Sequence, residues 1–148
     1  MKKILTLFFA LCFSVAQAAG PTTTAVNSPA PTLNNLTVYA VPINSIADAA
    51  TIAIPSYVTA YQVTSFKITN CSGTPILAQV GLFTAASGGG TTIVTPAVIT
   101  GATSTPVVLS QTIASTARQT AATLFVRVSV ANAAAVTCDM KITIDDLS

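Results

Sequence analysis

The chain has no histidine, no tryptophan and no glutamate. Without histidine there is no Ser-His-Asp or Cys-His nucleophile and no histidine-containing metal site. The acids are four aspartates, Asp48, Asp139, Asp145 and Asp146. Catalysis by paired carboxylates needs two acids flanking a substrate. Asp145 and Asp146 are adjacent, and on a strand they would point to opposite faces. A Ca²⁺ site from Asp139, Asp145 or Asp146 with backbone carbonyls is the one metal arrangement the composition leaves open. A solvated pair of acids near the chain end explains the same residues more simply. The expectation is therefore no enzyme, no cofactor and no metal.

Charge is scarce throughout, at 7% of residues. Its distribution depends on the first eighteen residues. Lys2 and Lys3 precede an apolar run from Ile4 to Val15, and Ala16-Gln17-Ala18 follows. That order of basic, apolar and small-residue segments is a secretory leader cleaved before Ala19. The apolar run is too short for a permanent span, which needs about 20 residues. Residues 1–18 are thus expected to be a signal peptide. The product would be exported to the periplasm, cell surface or extracellular space, with no membrane span after cleavage. Lys67, Arg118, Arg127 and Lys141 then face four aspartates, and the net charge of the processed chain is near zero. Four scattered cations make no electrostatic footprint for nucleic acid and no polybasic patch for anionic lipid. A nearly uncharged surface rich in Thr and Ala favours association.

Cysteine is equally sparing. Cys12 belongs to the leader, which leaves Cys71 and Cys138. An even pair in an exported chain reads as one disulfide. Closing a loop of this length is worth roughly 4 kcal/mol in the chain-entropy account.

What the sequence has in abundance is β texture. Residues 19–32 are rich in Pro and Thr and offer little to bury, so they read as a flexible arm. A single domain is expected over residues 33–148. Thr, Val and Ile dominate it, with turn residues at short intervals. Candidate strands are Leu36 to Val41, Thr51 to Ile54, Tyr57 to Thr69, Ile76 to Thr84, Thr91 to Val94, Val98-Ile99 and Val107 to Ile113. The phase of the third changes near Thr64-Ser65, which predicts a bulge. Two further strands alternate regularly. Leu124, Val126, Val128 and Val130 share one face of Thr123 to Val130. Val136, Cys138, Met140, Ile142 and Ile144 share one face of Val136 to Ile144. Cys71 would tie the end of the third strand to the last. Ser115 to Ala122 is a weak helix candidate. The prediction is an all-β protein: an antiparallel sandwich of jelly-roll or Greek-key type with one disulfide.

Other motifs carry bland and sharp readings. Ser87-Gly88-Gly89-Gly90 lacks the Gly-Lys-Ser/Thr ending of a phosphate loop and reads as a hairpin turn. Asn35-Leu36-Thr37 and Asn70-Cys71-Ser72 match the glycosylation sequon, which matters only in a eukaryotic secretory host. Tyr39, Tyr57 and Tyr61 would make a sugar-stacking platform if they met on one face.

A resemblance runs over roughly residues 52 to 146. Ile54-Pro55-Ser56-Tyr57 leads through Tyr61-Gln62-Val63-Thr64 to Ile68-Thr69-Asn70-Cys71-Ser72-Gly73. Gly81-Leu82-Phe83-Thr84-Ala85-Ala86-Ser87-Gly88-Gly89 follows, and Thr123-Leu124-Phe125-Val126-Arg127-Val128 leads to Val136-Thr137-Cys138-Asp139. In these stretches the chain resembles small bacteriophage proteins of the virion surface, β-sandwich modules of decoration or fibre-like parts. This chain adds an export leader and a cysteine pair. The resemblance implies a structural or surface-assembly protein that associates with itself or a surface. Two alternatives stand beside it. One is a pilus or fibre subunit whose N-terminal arm and Leu33 to Val41 add a strand to a neighbour. The other is a module that binds a glycan or cell-surface ligand.

Overall fold

Strict alternation in β7 (Thr123–Val130) buries Leu124, Val126 and Val128 and leaves Phe125, Arg127 and Ser129 outside. The same period in β8 (Thr137–Asp146) buries Cys138, Met140, Ile142 and Ile144. Each strand therefore has one face that gains by leaving water, about 1.5–3 kcal/mol per large aliphatic side chain. Two such faces meet across a shared core. The computed structural model describes residues 33–99 and 109–148. The leader, the whole of the expected arm (residues 19–32) and the expected Val107-Val108 start of a strand lie outside the described residues.

The other strands are β1 (Leu33–Pro42), β2 (Ala47–Ala53), β3 (Tyr61–Thr69), β4 (Gln79–Phe83), β5 (Thr92–Val98) and β6 (Leu109–Gln111). They form two antiparallel four-stranded sheets. Sheet A has the order β1-β8-β3-β6 and sheet B the order β2-β7-β4-β5. The pairs β1/β8, β2/β7, β3/β6 and β4/β5 are those of one long hairpin closing on itself. Rolling that hairpin brings β8 beside β3 and β7 beside β4. This is the jelly roll, with edges at β1, β6, β2 and β5.

Bulges keep the apolar phase correct. In β3 the register steps from Val63↔Ile144 to Ser65↔Thr143, so Thr64 is extra. Without that residue the Val63 face would continue through Ser65 and Lys67, placing an ammonium in the core. With it, Phe66 and Ile68 turn inward and Lys67 turns out. In β1 the register breaks between Val38 and Val41, both buried. Ala40 takes φ 51° there, and its N–H donates to Asp139 Oδ1 at 3.0 Å. Asn70, φ 50°, ends β3 and donates from Nδ2 to Asp139 Oδ2 at 2.9 Å. One carboxylate thus holds two residues in the left-handed region, which costs a non-glycine residue about 1–3 kcal/mol.

The expected helix at Ser115 to Ala122 is not formed. That segment is irregular and meets β3 at a single bridge. Gln119 and Tyr61 exchange backbone hydrogen bonds at 2.7 and 3.0 Å, and Ile54 N–H donates to Ala122 O at 2.9 Å. Eight residues are too few to repay helix nucleation, and β3 offers unsatisfied backbone groups beyond its short pairing with β6. The expected long strands are also shorter: β3 begins at Tyr61, β4 covers only Gln79–Phe83, and β6 ends at Gln111. Residues 57–60 and 76–78 are loops, and Val98 belongs to β5.

Candidate functional site

The strand order gathers four loops or strand ends at one end of the sandwich: residues 43–46, 70–78, the end of β5, and 131–136. The three loops contain no charged residue. One buried residue connects the three loops through its side chain and its backbone N–H. Asn132 lies between Ala131 and three alanines yet is 3% exposed. Its Oδ1 accepts Ile76 N–H at 2.9 Å, its Nδ2 donates to Ala134 O at 3.1 Å, and its N–H donates to Ile43 O at 2.8 Å. Ile43 N–H in turn donates to Val136 O, and Ile99 N–H to Ala78 O, each at 3.0 Å. Asn132 is bonded through both amide atoms, as burial of an amide requires. It holds the loops in one arrangement.

Those pinned loops present large apolar side chains to solvent. Leu77 is 65% exposed, Ile46 63% and Ile76 62%. Val98 and Val130 are exposed as well, and both pair with Gln79 from opposite sides. Ile46 directly precedes Ala47, the partner of Val128. The five side chains therefore follow the order of sheet B, β2-β7-β4-β5, along its end. Five of the eight exposed large hydrophobics of the described residues lie on this rim. An uncharged row of Ile, Leu and Val suits protein contact, because its burial releases water at no cost in charge desolvation.

Beside the rim, a cleft of about 310 Å³ runs between the edge strands β5 and β6, lined by Thr95, Pro96, Ala97, Val98, Ser110 and Gln111 among others. Its lining offers hydroxyl, amide and methyl groups and no acid or base.

The Cys71–Cys138 disulfide is present. It joins the turn after β3 to β8, with both cysteines buried, and Ser72 N–H donates to Thr137 O beside it at 2.8 Å. The tyrosines do not form a platform. Tyr61 is buried, donates its hydroxyl to Ala121 O at 2.9 Å, and burial pushes its phenol up to about 12. Tyr39 sits in the β1 bulge near the rim end, and Tyr57 in the β2–β3 loop at the opposite end; both are exposed. The aspartates are dispersed. Asp48 accepts from Arg127 Nη1 at 3.0 Å and from Ser87 N–H at 2.7 Å. Ser148 N–H on the Asp146 carboxylate lowers its pKa. No group of three His, Cys, Asp or Glu suited to a metal occurs among the described residues. The Ser87-Gly88-Gly89-Gly90 turn folds back over sheet B, where a Cβ on Gly88 would meet Arg127 Cδ at 3.2 Å. Of the two sequons, Asn70 is committed to Asp139, and Asn35 Oδ1 accepts from Thr143 Oγ1 at 3.0 Å.

Sequence reasoning missed the rim and Asn132. Each exposed Ile or Leu looks like a core residue until the strand order is known. The usable signal was a lone amide within Ala131-Asn132-Ala133-Ala134-Ala135. No described helix is long and apolar enough to cross a membrane. Comparison of the chain with family models, with characterised proteins and with solved structures found no match.

Proposed function

We propose that the chain is an exported, non-enzymatic structural protein that works by self-association or assembly on a surface, in the manner of the virion-surface modules it resembles. The observation that carries this reading is the uncharged rim formed by Ile46, Ile76 and Leu77, on loops pinned by Asn132, and by Val98 and Val130 at the ends of β5 and β7. A rigid apolar surface with no charge to desolvate is suited to a permanent contact. The engagement of Asp48, Asp139 and Asp146 in internal hydrogen bonds supports a non-catalytic role. The disulfide fits an oxidising compartment.

The test is size-exclusion chromatography with light scattering on the processed protein. Oligomers are expected, and Ile46→Asp with Leu77→Asp should convert them to monomers with an unchanged far-ultraviolet spectrum. A wild-type monomer at every concentration, or oligomers indifferent to both aspartates, would overturn the assignment. The fibre reading draws on one observation: β1 is both the first strand of the described residues and an edge of sheet A. Exchange of β1 between copies would preserve every pairing. A deletion that separates arm from strand must stop at residue 32, because β1 covers β8 from Leu33 onward.

A further inference from the structure

We propose that the outer face of sheet A binds an acidic polysaccharide through Lys67 and Lys141. The two lysines are direct cross-strand partners, and both are exposed. Among the described residues neither has an ion-pair partner. Like charges directly opposite each other destabilise a sheet. Half of the four cations beyond residue 18 are nevertheless placed in this arrangement, by a bulge at Thr64 that fixes the register. An anionic group between the ammonium ions reverses the sign of that interaction.

The surroundings select the kind of anion. Thr37 pairs with Lys141 and Ser110 with Lys67, so one row crosses all four strands as Thr37, Lys141, Lys67 and Ser110. Strands about 4.8 Å apart make that row roughly 14 Å long. It has a positive centre and a hydroxyl at each end, able to donate to and accept from sugar hydroxyls. Tyr39, two residues along β1 from Thr37, adds an exposed ring. Asp139, two residues along β8 from Lys141, has its carboxylate filled by Ala40 and Asn70. Asp145 lies further along the same strand, so the positive zone is confined to the row. Two lysines are too few to anchor a lipid surface, at about 1 kcal/mol each. The row itself has no aromatic platform for successive bases. A chain of sugars bearing carboxylate or sulfate groups fits a narrow, flat, hydroxyl-flanked cation pair. This surface is separate from the apolar rim, so either assignment can fail without the other.

The experiment is calorimetric titration of the processed protein with dextran sulfate and with polygalacturonate at low ionic strength, with neutral dextran as control. Binding to at least one acidic polymer is expected, weakening as salt is raised. Lys67→Gln with Lys141→Gln should reduce it about tenfold or more, a loss of about 1.4 kcal/mol or more. Lys67→Arg with Lys141→Arg should retain most of it, and Arg118→Gln should leave it unchanged. Absence of binding to both acidic polymers, equal binding to neutral dextran, indifference to the double glutamine variant, or stronger binding to anionic vesicles would each overturn the proposal.

Discussion

Arg127 in sheet B and Lys141 in sheet A each face a charged residue directly across the strand pairing. Arg127 faces Asp48, and Lys141 faces Lys67. Around Arg127 the site is closed. Asp48 also accepts Ser87 N–H, and the β4–β5 turn folds over the pair, leaving the side chains 24% and 20% exposed. Around Lys141 the face is open and the charges repel. A chain with so few charges resolves the electrostatics of one sheet internally and leaves that of the other to solvent or a ligand. The first arrangement is structural. The second gives up stability in a register that the fold otherwise specifies well.

The largest way to disturb this contrast is to cut the covalent tie in sheet A. Cys71 and Cys138 join β3 to β8, the strands that carry the two lysines. Replacing both by Ser should cost about 4 kcal/mol, a fall in Tm on the order of 10–20 °C for a domain of this size. Thermal denaturation followed by circular dichroism measures it. The remaining stability should also rise with salt, since screening relieves the lysines once the staple no longer holds them in register.

Asp48→Ala attacks the closed side. It leaves Arg127 partly buried without its carboxylate and removes the acceptor of Ser87 N–H. The expected loss is about 1–3 kcal/mol. Hydrogen exchange should quicken at Ser87 and leave the β3–β8 ladder unchanged. Loss of protection in both sheets would show that the turn holds the whole roll closed rather than sheet B alone.

The two sides were unequally legible in the sequence. Leu124, Val126 and Val128 in β7, and Met140, Ile142 and Ile144 in β8, declare their faces by alternation, and the phase change at Thr64-Ser65 announces the bulge. The cysteine pairing followed from number and from the export expected of the leader. Facing residues are another matter. Which charge lies opposite Arg127 or Lys141 depends on strand order and on bulges at Thr64 and beside Asp48, and local pattern determines neither. A shift of one residue in β3 would have turned Lys67 inward. Gln119 was misassigned to a helix for a related reason, because its partner Tyr61 is distant in sequence. The rim stayed hidden because Leu77 and Ile76 are apolar wherever they lie, and only topology shows that the chain leaves them outside.

The smallest effect is the most discriminating. Lys141→Glu places a carboxylate opposite Lys67 and gives sheet A the arrangement of sheet B. Exchanging a repulsive cross-strand pair for an attractive one should stabilise the fold by about 0.2–1 kcal/mol, with the gain fading as salt screens exposed charges. Urea melts at two ionic strengths resolve a difference of that size. If the variant is more stable at low salt and has lost affinity for acidic polysaccharide, stability and binding pull in opposite directions at this position, as expected of a site kept open for a ligand. If it is no more stable, the lysines already escape each other by extending into water. Their register then carries no penalty for a ligand to remove, and the binding proposal would rest on charge and hydroxyl placement alone.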